Sequence, residues 1–313
     1  MLNSSSGLTI PIAERIKLFM ALSRTPHGLL DMAAPALAAL LWLGSIPPIH
    51  VILIGAVTAF AGYTAVYALN DVVDYRSDTK NIRECGLKCS AGDLDSIYAR
   101  HPMAQGLLSL RDGIIWMAAW GGIALAGAWL LNPACAVVFI LGCIAEIVYC
   151  LMLRLSHLRV LVSGAVKSAG GIAAIFAVVP NPSVPFLVAF FLWFFFWEIG
   201  GQNVPNDWTD MDEDKQLSAE TLPVKFGPDG SANIIVGSLV IAVCMSFVLF
   251  WLTPARLSPL YFAGAVPAGI FLLFLPARHL YLQKNSAVAS ALFNRASYYP
   301  VTMCLTILVS TFL

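Results

Sequence analysis

Two stretches of this chain carry side chains that could do chemistry together. Asn70-Asp71-Val72-Val73-Asp74-Tyr75-Arg76-Ser77-Asp78 and Asn206-Asp207-Trp208-Thr209-Asp210-Met211-Asp212-Glu213-Asp214 both spell N-D-x-x-D-x-x-x-D, and each begins where a long apolar run ends. If each continues as a helix, positions 70, 74 and 78 share one face, as do 206, 210 and 214, with neighbouring oxygens about 6 Å apart along the axis. Carboxylates at that spacing repel one another unless a cation sits among them. A hard divalent ion such as Mg2+ prefers a few carboxylates plus phosphate oxygens to an all-protein cage, so two facing clusters would clamp a diphosphate. One such cluster alone would be a solvated acidic helix end; the duplication is what argues for a site.

The elements that must position these motifs are membrane spans. The 313 residues are 59% hydrophobic and only 12% charged, where a soluble domain averages about 25% charged. The composition therefore predicts an all-α integral membrane protein in the lipid bilayer. A net charge of zero argues against a nucleic-acid partner. The seven cysteines are odd in number and mostly lie in apolar segments, so no disulfide framework is expected. Met1 to Thr9 is polar, and no cleavable signal is expected there.

Nine apolar segments are long enough, or nearly so, to cross a bilayer: roughly 27–44, 51–69, 113–131, 133–153, 161–179, 184–204, 232–252, 258–276 and 298–313, the last being the shortest. Of the 18 Lys and Arg residues, all but Arg256 and Lys167 fall on one side of this arrangement. By the positive-inside rule that side, with the N-terminus and both acidic motifs, is cytoplasmic. The connection at about 70–112 is long for a helix–helix loop, which marks it as functional or disordered. The segment Thr221 to Gly227 predicts a helix stop before the seventh span.

The paired motifs, the nine spans and Glu220-Thr221-Leu222-Pro223-Val224-Lys225-Phe226-Gly227 resemble the UbiA superfamily of intramembrane prenyltransferases. Ser23-Arg24-Thr25-Pro26-His27 resembles the basic start of that family's first helix. His101-Pro102-Met103-Ala104-Gln105-Gly106 resembles its R-P-x-x-x-G stretch, and Tyr149 to Ser156 resembles the segment closing its fourth helix. The resemblance covers nearly the whole chain, as a single domain with an internal pseudo-repeat. It implies a bundle of nine transmembrane helices around a central cavity, with cytoplasmic helical caps bearing the Asp motifs. It also implies Mg2+-dependent transfer of an isoprenyl group from an isoprenyl diphosphate to a small, often aromatic acceptor of the hydroxybenzoate or quinone-precursor type. Three departures stand out. His101 replaces the usual Arg, Leu153 stands where a Lys often precedes Arg154, and about a dozen residues are inserted within 81–99.

On this reading Mg2+ is held by Asn70, Asp74 and Asp78 on one side and by Asp207, Asp210 and Asp214 on the other. Asp74, Asp78, Asp210 and Asp214 are the catalytic core, because fixed cations stabilise the charge that develops on a leaving diphosphate. Arg24 and Arg154 are candidates to contact phosphate oxygens, Tyr149 joins them by resemblance, and Asp71, Asn206 and Lys215 complete the substrate-binding set. The run Phe190 to Trp197 covers every face of its helix, so one or two of its rings are expected to line the cavity. Asp31, Glu146, Lys167 and Glu198 lie within spans, where ionisable residues are functional candidates. Lys167 is placed to meet an anionic acceptor or the diphosphate. Glu198 could orient an acceptor hydroxyl or take the final proton, and a structural Lys167–Glu198 pair is the alternative. Asp31 and Glu146 are read as structural. Cys85 and Cys89 lack a second pair to complete a metal site. A lipid or tetrapyrrole acceptor, cyclisation, and a transporter with intramembrane charges are the rival functions.

Overall fold

The computed structural model describes residues 11–86 and 94–313, and it is helical with no strand among the described residues. The Cys85 and Cys89 thiols lie outside what is described. The first half comprises α1 (Ile12–Leu22), α2 (Thr25–Asp31), α3 (Ala33–Leu43), α4 (Ile49–Cys85), α5 (Leu110–Leu131), α6 (Pro133–Leu151) and α7 (Arg159–Val178). The second comprises α8 (Val184–Trp197), α9 (Val204–Thr209), α10 (Met211–Gln216), α11 (Leu222–Leu252), α12 (Leu260–Ala268), α13 (Leu275–Gln283), α14 (Ser286–Ser297) and α15 (Tyr299–Phe312).

Eight helices among the described residues are long and apolar enough to cross a membrane. The ninth expected span corresponds to α15, which has 14 residues and so is about 21 Å long, short of a hydrocarbon core of about 30 Å. The helices close into a bundle in which α4 packs on α5, α6 on α7, α8 on α11, and both α7 and α15 on α3.

Packing is tight where small residues allow it. A side chain at Gly171 would come within 2.3 Å of the Phe190 ring, and it is the missing Cβ that lets α7 and α8 approach, as small residues do between membrane helices. Phe186, Phe190, Trp193, Phe194 and Trp197 are consequently buried in the core. The expected stop at Thr221 to Gly227 is a kink: Gly227 takes φ 65° inside α11 and Pro228 follows it.

Two features of the helices position the motifs. α4 runs for 37 residues, and its first 21 residues to Asn70 already rise about 31 Å. The first motif therefore lies on the same helix, just beyond a membrane thickness. The second motif is reached differently, because α8 continues into α9 through a π turn, Glu198–Asn203. Such a turn inserts a residue into the helical repeat, and π turns recur at functional sites.

Candidate active site

One large cavity of about 740 Å3 runs through the bundle, and both motifs stand at one end of it. Asn70, Asp71, Asp74 and Asp78 line it from α4, and Asn206, Asp207, Asp210 and Asp214 line it from α9 and α10. The first motif forms the expected single helical face. The second does not, because Asp210 (φ −101°, ψ 6°) breaks the helix between α9 and α10. The break still leaves its acids facing the cavity, with Glu213 added to them.

The protein's own cations are threaded among these acids. Arg24 donates from Nη2 to Asn70 Oδ1 at 3.2 Å and to Asp71 Oδ1 at 3.4 Å, and from Nη1 to Asp95 Oδ2 at 3.3 Å. Burial opposes its charge, but Asp95 and Asp71 outweigh that and push the guanidinium upward. Arg100 donates to Asp210 Oδ2 at 2.7 Å. Arg159, at the start of α7, places Nη1 3.6 Å from Asp207 Oδ1 and its guanidinium 4.0 Å from the Tyr149 ring centre. His101 places Nδ1 3.0 Å from Asp78 and 3.4 Å from Asp71, close in distance but without hydrogen-bond alignment. Burial works against the imidazolium, yet Asp78 and Asp71 win and push it up to about 10. His101 thus keeps a cation where the resemblance expects Arg.

The donor set fits a hard divalent cation. The Asp71 and Asp78 carboxylates lie within 4.8 Å of one another beside His101, where two carboxylates alone would repel by about 3.5 kcal/mol at an effective dielectric of 20. His101 offsets this as an imidazolium and would ligate a metal only after losing its proton. In the second cluster, burial and the neighbouring Asp207 push Asp214 well up. Clustered oxygens that resist joint ionisation are what a bound divalent ion relieves. Asp71, expected only to bind substrate, is nearer this cluster than Asn70. Asn70 instead donates to Glu146 Oε1 at 2.7 Å and accepts from Arg24.

Deeper in the cavity a second polar group gathers. Lys167 donates to Asp31 Oδ2 at 2.7 Å and to the Tyr67 hydroxyl at 3.1 Å, and Tyr67 donates to the same Asp31 oxygen at 2.6 Å. Lys167 therefore pairs first with Asp31 rather than Glu198. Glu198 accepts from Ser163 at 2.7 Å, while Asn203 donates to Tyr149 at 2.8 Å and to Ser163 at 3.2 Å. Asp31 and Glu146, read from sequence as structural, both line the cavity.

Three sequence candidates are not brought to the cavity as expected. Arg154 is exposed and absent from the lining, and Arg159 is the guanidinium that arrives there. Lys215 is exposed and 3.9 Å from Asp212. None of the rings from Phe190 to Trp197 lines the cavity; its rings are Tyr63, Tyr67, Phe139, Tyr149 and Phe293. Asp95 had no sequence signal beyond its place in the insertion, and it lies 2.5 Å from His27 Nδ1. Burial raises this carboxyl, but His27 and Arg24 together hold it well below the usual carboxylate range.

A membrane bundle with doubled acidic motifs at one end of an apolar cavity defines an intramembrane class, and comparison with known proteins places it. The chain belongs to the UbiA prenyltransferase family, which it matches over residues 32–298. Its fold is similar to that of a UbiA homologue from Aeropyrum pernix K1, with TM-score 0.71 and 19% identity over 90% of this chain and 97% of that one. It is also similar to a digeranylgeranylglyceryl phosphate synthase of membranes, with TM-score 0.67 and 17% identity over 95% and 99%. A UbiA homologue from Archaeoglobus fulgidus bound to DMAPP and Mg2+ aligns with TM-score 0.65 and 14% identity over 93% and 99%. No curated protein matches the sequence.

Proposed function

We propose that this protein transfers an isoprenyl group from an isoprenyl diphosphate to a phenolic acceptor of the quinone-precursor type, with Mg2+ as cofactor and release of diphosphate. One observation carries the reading: a single cavity has carboxylates and guanidinium groups at its mouth and an apolar far end that includes Ile46, Pro47, Val51 and Ile52. A charged head on a long hydrocarbon tail matches that polarity. The Archaeoglobus fulgidus homologue bound to DMAPP and Mg2+ supports it.

Asn70, Asp71, Asp74 and Asp78 from one half, with Asp207, Asp210 and Asp214 from the other, would hold Mg2+, which when bound supplies charge neutralisation for the leaving diphosphate. Arg24 and Arg159 reach the same oxygens with guanidinium donors suited to phosphate. The allylic C1–O bond breaks with its electron pair leaving on the diphosphate. Tyr63, which lines the cavity with no protein cation over its ring among the described residues, would stabilise the cation that remains by roughly 0.5–2 kcal/mol where desolvated, and the bundle walls exclude water. A ring carbon of the acceptor gives an electron pair to C1, and the proton released as the ring regains aromaticity passes to Glu198.

The charge distribution supports a cytoplasmic mouth and N-terminus, and α15, following α14 directly, completes the bundle as the ninth span. The test is Mg2+-dependent diphosphate release by protein in lipid nanodiscs, supplied with geranyl, farnesyl or geranylgeranyl diphosphate and a phenol. Asp74→Ala and Asp210→Ala should each abolish turnover while the bundle stays folded. Near-normal turnover in both variants overturns the two-cluster site.

A further inference from the structure

Halfway down the cavity, two oxygens lack the proton donors that buried oxygens require. Glu198 and Asn203 line the cavity and are 7% and 6% exposed, and Glu198 Oε2 and Asn203 Oδ1 have no hydrogen-bond partner. Both come from the π turn after α8, which turns two side chains five positions apart toward one wall. Buried polar atoms are seldom left unsatisfied, and an exception calls for a ligand or water.

The bonding around this pair fixes what it can accept. Asn203 Nδ2 donates to Tyr149 and Ser163, and Ser163 in turn donates to Glu198 Oε1. Hydrogen-bond direction therefore runs from Asn203 through Ser163 into Glu198, and the Asn203 amide cannot flip without setting its oxygen against the Ser163 oxygen. Both free atoms are acceptors. The ammonium of Lys167 donates to Asp31 at 2.7 Å and to the Tyr67 hydroxyl at 3.1 Å, and to neither free oxygen. An anionic group entering between Glu198 Oε2 and Asn203 Oδ1 would meet two acceptor oxygens and no donor.

We infer that Glu198 and Asn203 form the head subsite for the acceptor, and that this subsite takes a neutral hydroxyl that donates a hydrogen bond and rejects a carboxylate. This rests on the prenyl-transfer reading for the meaning of "acceptor", but it is a statement about binding and is separable from turnover. Its depth is consistent with that role. Glu198 lies nine residues before Asp207, about two helical turns below the carboxylates of the mouth, on the wall between them and the apolar far end.

Phenol and benzoate differ only in a hydroxyl against a carboxylate, and they are the probes. Equilibrium dialysis of each against the intact protein in nanodiscs should show phenol bound at least tenfold more tightly. Glu198→Gln keeps the shape but offers an amide, and it should shrink that preference to within threefold. Equal or tighter binding of benzoate to the unaltered protein overturns the inference, as does binding of neither probe or a preference unchanged in Glu198→Gln. Diphosphate release is measured in parallel. Selective phenol binding with no release from any donor overturns prenyl transfer and leaves the hydroxyl subsite standing.

Discussion

Replacing Arg159 by Gln is the sharpest perturbation of the diphosphate site, because the sequence points to its neighbour Arg154. Arg159 is 6% exposed, its Nη1 is 3.6 Å from Asp207, it covers the Tyr149 ring, and its Nε lacks any partner. On the prenyl-transfer proposal, a buried guanidinium with a spare donor at the mouth of the cavity would serve the charge that grows on a departing diphosphate. Removing one fixed donor of that kind costs about 2.7–4 kcal/mol in the transition state, or roughly 10²–10³ in kcat. Arg159→Lys keeps the charge but not the planar fork, and should fall between the two. Arg154 is exposed, and Arg154→Gln should change kcat/KM by less than about twofold, as surface substitutions do. The assay is Mg2+-dependent diphosphate release in nanodiscs, with size-exclusion profiles confirming that each variant folds. If Arg154→Gln loses more activity than Arg159→Gln, the assignment of the phosphate-facing guanidinium is wrong.

Two further outcomes follow from pairs buried in the bundle. Lys167→Met leaves Asp31, only 2% exposed, beside an apolar side chain, and breaking a buried pair in this way costs about 3–5 kcal/mol. The double variant Asp31→Asn/Lys167→Met should recover most of that loss in the thermal midpoint in detergent; a double variant no better than the single one refutes the pairing. Asp95 is held below the usual carboxylate range once His27 and Arg24 overcome burial, so its contribution is present above about pH 4, the ordinary Asp value, and is lost as pH falls below it. Asp95→Asn should lower stability at pH 7 by about 1.5–3 kcal/mol, as for hydrogen bonds to charged groups. It should also flatten the loss of stability below about pH 4, and an unchanged acid limb counts against the Arg24–Asp95–His27 anchor.

The motifs were legible because their chemistry depends on residue type and spacing alone. The spans were legible because hydrocarbon demands long apolar runs, whatever they pack against. What sequence could not supply was direction around each helix. Phe190 to Trp197 is apolar on every side, so no periodicity separates a cavity face from a core face. The glycines of α7 decide the matter by drawing the rings inward. Arg154 and Arg159 sit either side of a turn between α6 and α7, and only Arg159 begins the helix that walls the cavity. Asp95 lies in an insertion without pattern, and its role arises from contacts more than sixty residues away. Asn203 carried no signal by itself; the π turn that exposes it to the cavity is a local departure from the helical repeat that sequence assumes.

The mouth of the cavity is balanced in a way that bears on how substrate enters. Each protein cation there is already bound to motif carboxylates: Arg24 to Asp71, Arg100 to Asp210, Arg159 to Asp207 and His101 to Asp71 and Asp78. Arg100–Asp210 and Arg159–Asp207 cross between the two halves of the chain and hold the motifs in register, while Arg24 and His101 pair with the first motif inside the first half. These ion pairs also occupy part of each guanidinium's donor set, although Arg159 keeps its Nε without a partner. On the prenyl-transfer proposal, a divalent cation that neutralised these acids would loosen their hold on Arg24 and Arg159 and leave both guanidiniums to the diphosphate. A diphosphate arriving alone would meet carboxylates whose charge is only partly cancelled, whereas one arriving with its counter-ion would meet neutralised acids and freed arginines. The same ion pairs would then favour joint entry of donor and cation over either alone.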